Sequence, residues 1–318
     1  MGRNYKIKIV LLSICTAWIV KGKAQQDPLY SQFMFNQMSV NPAYAGSKEA
    51  LSVAVLHRNQ WTSIPGAPVT NTFFAHGPLA SKHIGLGLTM TQESIGPKKW
   101  FSAYGNFAYR FRLGRGKLSL GLAAGMVNYN FNWNAIEFQD PNDAVYQQLA
   151  TTNVRTKIGV NTGAYYYDQS FYAGVAISNV NQPFLFKYEY TDTAGVKQTS
   201  YLFKVKPHGF FTIGKGWKLG ESLVFNPAVV LRYTTGQVNA DINLNFLIKS
   251  RVWLGASLRT QYGYMGLVQF LVNDKFRIGY CYDAGMNRIG TAGRATHELI
   301  LNYNFSISKS KMISPRYL

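Results

Sequence analysis

From residue 51 onward, apolar and polar side chains alternate through roughly fourteen segments of about 8–15 residues. In Val238 to Ile248 the apolar Val238, Ala240, Ile242, Leu244, Phe246 and Ile248 share one face, and Asn239, Asp241, Asn243 and Asn245 share the other. In Phe101 to Arg112, Phe101, Phe107, Tyr109 and Phe111 oppose Ser102, Tyr104, Asn106, Arg110 and Arg112. In Lys117 to Met126, Leu118, Leu120, Leu122 and Met126 oppose Ser119, Gly121 and Gly125, and in Phe276 to Asp283 the apolar face opposes Arg277, Gly279, Cys281 and Asp283. The connections alternate as well. Those near 59–69, 96–99, 132–154, 179–206, 235–236, 261–263 and 285–295 include every long one, whereas their intervening partners stay at about six residues or fewer. Short turns at one end and long loops at the other predict an all-β, transmembrane antiparallel barrel of about 14 strands in an outer membrane.

The inward face is rich in glycine and serine, and glycine lets another piece of backbone come close. Residues 25–50 are the candidate filling. They do not alternate, are too polar for lipid and too aromatic for a free tail, and carry the turn signal Asn41-Pro42-Ala43-Tyr44-Ala45-Gly46. The expected organisation is a signal peptide over 1–24, a plug or periplasmic segment over 25–50, the barrel over 51–308 and a basic periplasmic tail over 309–318. Tyr30, Phe33, Phe35, Asn36, Asn41, Pro42, Ala43 and Tyr44 are the candidate plug residues. Arg110, Arg232, Asp241, Arg259, Arg277, Asp283 and Glu298 are read as lumen charges, with the carboxylates on nonadjacent or uncertainly registered strands. Pro227 lies inside an otherwise regular strand, and its missing N–H predicts a bulge or bend there.

Composition narrows the setting. Arg3, Lys6 and Lys8 precede a mostly apolar stretch from Ile7 to Val20, too short to span as a helix, and Ala24 offers a cleavage site. The formal charge is +19, of which the signal carries five, leaving the mature chain near +14. An exported barrel does not meet nucleic acid, so lipid head groups, lipopolysaccharide phosphates or an acidic protein are the expected acidic partners. The 21 Tyr and 20 Phe suit the aromatic girdles of a barrel. Only Cys281 remains after cleavage, His residues are scattered singly, and no Ser–His–Asp set falls at a matching height. No catalytic, cofactor or metal residues are assigned, and the chain is read as non-enzymatic.

Several motifs occur together in order. The run DPLYSQFMFNQMSVNPAYAG, then His57 to Trp61 followed by Ile64 to Pro68, then FYAGVAISN over Phe171 to Asn179 all resemble the PorP/SprF family of Bacteroidetes outer-membrane proteins. Asp241 to Leu254, FRIGYCYD over Phe276 to Asp283, Thr296-His297-Glu298 and Pro315-Arg316-Tyr317 extend the resemblance across the mature chain. That resemblance implies a component of the type IX secretion system. Its partners would be other secretion components and a large secreted adhesin with a C-terminal sorting domain, in gliding bacteria a motility adhesin.

Two outer loops fit such a role. Loops 132–154 and 179–206 are long enough to hold structure of their own, and the second could contain an extra short hairpin. Phe184, Phe186, Tyr188, Tyr190, Tyr201 and Phe203 give it the aromatics of a protein interface, and Trp61 and Pro65 stiffen the first loop. The alternative is an outer-membrane channel or transporter for hydrophobic or small solutes, for which a polar, small-residue lumen is a poor path.

Overall fold

A computed structural model describes residues 28–80, 82–136, 154–191, 194–234 and 236–306. The strands follow the alternation. They are β1 (Ala50–Asn59), β2 (Val69–Pro78), β3 (Ile84–Ile95), β4 (Lys98–Leu113), β5 (Gly116–Phe131), β6 (Val154–Tyr167), β7 (Phe171–Ser178), β8 (Phe184–Thr191) and β9 (Lys197–Lys204). They continue with β10 (His208–Lys215), β11 (Trp217–Lys218), β12 (Leu223–Thr234), β13 (Gln237–Ile248), β14 (Val252–Arg259), β15 (Gly263–Leu271), β16 (Phe276–Gly285) and β17 (Ala295–Ser306).

Fourteen of these strands form one closed antiparallel barrel, as the alternation predicts. Each pairs with its sequence neighbours, β10 joins β7 to β12 past the β8–β9 hairpin, and β1 closes the ring on β17 from Ala50↔Ser306 to Asn59↔His297. Closure leaves no backbone edge exposed to lipid, where an unsatisfied amide costs several kcal/mol. β11 is a two-residue extension alongside β12. Among the described residues no helix is long and apolar enough to cross a membrane.

Burial follows the predicted faces. Leu120, Leu122, Ile242, Leu244, Leu254 and Tyr280 are exposed on the outer wall, while Ser119, Asp241, Asn243, Trp253 and Cys281 are buried inside. Outward aromatics gather near the strand ends, with Tyr109, Phe111, Phe270 and Phe305 towards the short turns and Tyr233 and Tyr264 towards the loops. The loop asymmetry holds, and β8–β9 forms the extra hairpin on the long-loop side. The 286–294 loop contains a short helix, α1 (Arg288–Ala292), capped by Asn287. Most of the 132–154 loop, together with residues 1–27 and the tail over 309–318, lies outside the described residues.

Pro227 differs from expectation. Its ladder with β13 runs without offset from Asn226↔Asn245 through Pro227↔Leu244 to Ala228↔Asn243, so there is no bulge. On its other side, pairing stops at Gly214↔Ala228 and resumes at Trp217↔Phe225 in the same register. A proline whose missing donor faces a gap between two strand segments costs the sheet nothing further, which removes the reason to bulge.

Candidate functional site

Residues 28–49 lie inside the barrel and form most of its core together with the inner wall. Two short 3-10 turns shape the segment, Gln37–Ser39 and Pro42–Tyr44. Proline at the first position of the second turn has no donor to waste, and Asn41 caps it by accepting from Ala43 N at 3.0 Å. The same Asn41 donates through Nδ2 to the carbonyls of Ala164 at 3.0 Å and Val175 at 3.3 Å, tying the turn to β6 and β7. Ser119 Oγ donates to Ala43 O at 2.6 Å, Gly46 N donates to His76 Nδ1 at 3.1 Å, and Arg110 donates to the carbonyls of Gly46 and Ile84. Phe33 is fully buried, Asn36 is buried, Phe35 meets Trp253 edge-on at 5.7 Å, and Tyr44 meets His76 and Tyr165 edge-on.

Glycines on the wall make room for this backbone. A Cβ at Gly121 would stand 2.1 Å from Ala43 N, and one at Gly85 2.1 Å from Ala45 O. Any larger residue at these positions would have to displace the inner segment.

The lumen charges form two clusters towards the long-loop end. Arg58 on β1 reaches Asp283 on β16 at 2.8 Å and Glu298 on β17 at 2.9 Å, with all three side chains fully buried. Ser31 completes the group. Its Oγ donates to Asp283 at 2.6 Å and accepts from Arg58 at 2.8 Å, while the N–H groups of Ser31 and Gln32 donate to the two Glu298 oxygens. Beside it, Asp241 on β13 accepts from Arg232 on β12 and Arg259 on β14, each at 2.8 Å, and Arg259 also donates to Tyr30 O at 3.0 Å. Asp283 and Glu298 therefore sit on adjacent, paired strands. Arg110 lies elsewhere, near the short-turn end, and so does Arg277.

Above the segment is a small vestibule of about 100 Å³. Tyr30, Met38 and Pro42 form its floor, Trp100, Tyr104, Tyr129 and Phe210 line the wall, and Arg232 supplies a charge. Trp100 stacks on Tyr129 at 6.4 Å and donates to Glu93 at 2.5 Å, which also accepts from Thr70. On the same long-loop side is the β8–β9 hairpin, a two-stranded sheet of its own. Phe184 stacks on Tyr201 at 4.3 Å, and Phe184, Tyr190 and Tyr201 remain exposed while Tyr188 is half-buried. The side chains of Phe186 and Phe203 lie outside the described set. Trp61 is half-buried against Gly293, its N–H bonds Thr296, and Pro65 is exposed.

Four residues escaped the sequence analysis. Arg58 was visible as the fourth member of the inward series Ser52, Ala54, Leu56, Arg58, but it sat inside a loop motif that drew attention elsewhere. Glu93 follows Thr91 inward on β3 in the same way. Lys48 and Trp253 carried no signal, because their burial depends on the inner segment lying against them. Among the described residues, no group of three or more His, Cys, Asp or Glu is placed to hold a metal.

These features define a class: an outer-membrane β-barrel whose lumen is occupied by its own N-terminal segment. Residues 22–303 match the profile described as type IX secretion system membrane protein PorP/SprF, and the chain belongs to that family. It is an outer-membrane component of the type IX secretion system. No curated protein matches the chain. Among solved structures, the CymD monoaromatic hydrocarbon channel is similar at 8% identity and TM-score 0.51, over 89% of this chain and 94% of that one. Omp33 of Acinetobacter baumannii (9% identity, TM-score 0.47, 82% and 100% covered) and the toluene transporter TbuX of Ralstonia pickettii (9%, 0.47, 85% and 94%) are similar as well. At these identities the likeness concerns the fold alone.

Proposed function

We propose that this barrel is a non-enzymatic partner in the export or surface anchoring of a large secreted adhesin with a C-terminal sorting domain, of the gliding-motility type. The observation that carries this proposal is the outer end of the molecule. The vestibule is closed below by the inner segment, and on the same long-loop side a hairpin that pairs with no barrel strand leaves Phe184, Tyr190 and Tyr201 exposed. Exposed aromatics on a preformed hairpin are typical anchors for a protein partner. Residues 28–49 act as the plug that makes the barrel a platform rather than a pore. Other secretion components and lipopolysaccharide are further partners in this reading, the latter through exposed cations of the 286–294 loop such as Arg288 and Arg294.

Affinity purification from native outer membranes in mild detergent, with mass spectrometry, tests this. The full-length barrel should bring down a sorting-domain adhesin or secretion components, and a variant lacking residues 184–203 should lose the adhesin while keeping the barrel. A full-length barrel that comes out alone defeats the proposal.

One observation favours a second reading, a channel for hydrophobic solutes. The lipid-facing wall has an apolar hollow of about 620 Å³ beside Gly209, lined by Val175, Ile177, Phe211 and Tyr233, and it shares Phe210 and Arg232 with the inner vestibule. Bound apolar solute, or conductance of the purified barrel in liposomes, would favour it.

A further inference from the structure

The lipid-facing wall changes character around the barrel. Near their long-loop ends, β12, β13 and β14 present Leu231, Val238 and Leu258 to the lipid. Near the long-loop ends of β1, β2 and β3 the outward groups are polar. His57, Asn71 and Gln92 are exposed and stand side by side in register, His57↔Asn71 and Asn71↔Gln92. His57 Nδ1 donates to Asn71 Oδ1 at 2.8 Å. Asn71 Nδ2, His57 Nε2 and the Gln92 amide have no partner among the described residues.

Towards the middle of the membrane this row opens onto a hollow of about 460 Å³, lined by Val55, Phe73, Met90, Phe101, Leu299 and Leu301. Towards the loops, Lys99 is exposed two positions from Phe101 on β4. Among the described residues, no carboxylate faces outward on β1 to β4, β16 or β17. Their acidic residues, Glu93, Asp283 and Glu298, are all buried inside.

Polar side chains on a lipid-facing wall are costly unless something polar meets them. The girdle tyrosines Tyr233, Tyr264 and Tyr282 lie near the same strand ends, so the row sits where head groups meet acyl chains. An amide, an imidazole and a second amide in line offer donors and acceptors together, which suits sugar hydroxyls. The hollow suits an acyl chain, and Lys99 suits a phosphate.

We propose that this face, from the hollow beside Phe73 up to Lys99, binds one phosphorylated glycolipid of the outer leaflet, of the lipopolysaccharide class. The chain lies in the hollow, the sugar meets the His57–Asn71–Gln92 row, and the phosphate faces Lys99. The site rests on the lipopolysaccharide part of the reading above and is independent of the adhesin.

The test uses the full-length barrel purified in zwitterionic detergent, with purified lipid A as the probe. Lipid A should raise the thermal unfolding midpoint by several degrees, saturating with its concentration, as expected for a ligand of the folded state. Phosphatidylglycerol, which has chains and a phosphate but no sugar, should not. Asn71→Leu with Gln92→Leu should abolish the rise. Leucine on the lipid face is what neighbouring strands carry, so this variant should keep its heat-modifiable folded band. Lys99→Met should need several-fold more lipid A for the same rise. In cells, a photoreactive residue in place of Phe73 should yield a lipid adduct. No rise with lipid A, an equal rise with phosphatidylglycerol, or a protein adduct from position 73 overturns the proposal. A rise that survives in the Asn71→Leu, Gln92→Leu barrel but is lost with Arg288→Ser and Arg294→Ser overturns the wall site and leaves the rim reading standing.

Discussion

The two ends of the inner segment are held by different chemistry. At the upper end, Arg58, Arg232 and Arg259 face Asp241, Asp283 and Glu298, three positive side chains against three negative ones, all buried. At the lower end Arg110 is held by two backbone carbonyls, and Lys48 and Arg277 share a cavity without a carboxylate. The upper end needs folded strands from across the closure seam, since β1, β16 and β17 all contribute to one ion cluster. The lower end needs shape, because glycines on β3 and β5 let the backbone of residues 43–46 lie directly on the wall. An ionic anchor is intolerant of losing one partner, and a steric cradle is intolerant of gaining a methyl group. The two ends should therefore fail in different ways.

Arg58→Met should have the largest effect. It strands two buried carboxylates on β16 and β17 and removes a donor to Ser31. Breaking a buried ion pair from one side costs about 3–5 kcal/mol. The expected outcome is a large fall in the urea midpoint of the refolded barrel, and loss of the heat-modifiable folded band on gels. Restoring charge balance with Glu298→Gln in the same chain should recover part of the loss. If Arg58→Met unfolds at the same urea concentration as the unaltered chain, the cluster does not anchor the seam.

Gly121→Val attacks the other end. Its branched side chain must enter space held by the Ala43 backbone, and overpacking of this kind costs about 1–3 kcal/mol, here towards the upper limit. The outward residues of β5 are untouched, so the barrel should still close. What should give way is the inner segment. Protease sensitivity of residues 28–49 and single-channel conductance in planar bilayers should both rise. A variant that stays silent and protease-resistant would show that β5 yields instead.

How much of this was legible beforehand follows from which interactions are local. Period-two alternation and loop lengths are local, so the barrel and its orientation could be read from the chain, down to the inward placement of Cys281 and the hairpin between residues 184 and 204. Contacts between the inner segment and the wall are not local. Nothing near Gly121 says that Ala43 lies over it, and nothing near Trp253 says that Phe35 abuts it. Arg58 was hidden although its strand parity was plain, because its two carboxylates are 225 and 240 residues away and meet it only when the ring closes. Pro227 misled for a related reason. Whether a missing donor distorts a strand depends on what faces it, and here a break between β10 and β11 does.

Tyr30 offers the finest test of the upper end, because it changes a single proton. Its hydroxyl lies 2.8 Å from Thr72 Oγ1 and is buried, and burial pushes its pKa up from 10.0 to about 12, against the smaller opposing influence of the hydrogen bonds to Thr72 and Thr91. In the unfolded chain the same phenol ionises near 10, so between pH 10 and about 12 the folded state holds a proton that the unfolded state has released. Stability tied to this group is complete below pH 10 and is lost as pH rises through that window, by about 3 kcal/mol in all. Tyr30→Phe removes the titration and leaves the ring in place. Its unfolding midpoint should lie slightly below that of the unaltered barrel at pH 8 and should fall less steeply between pH 10 and 12. Parallel curves for the two proteins across that range would mean that Tyr30 reaches water through the vestibule, and that the upper end of the inner segment is looser than its ion clusters imply.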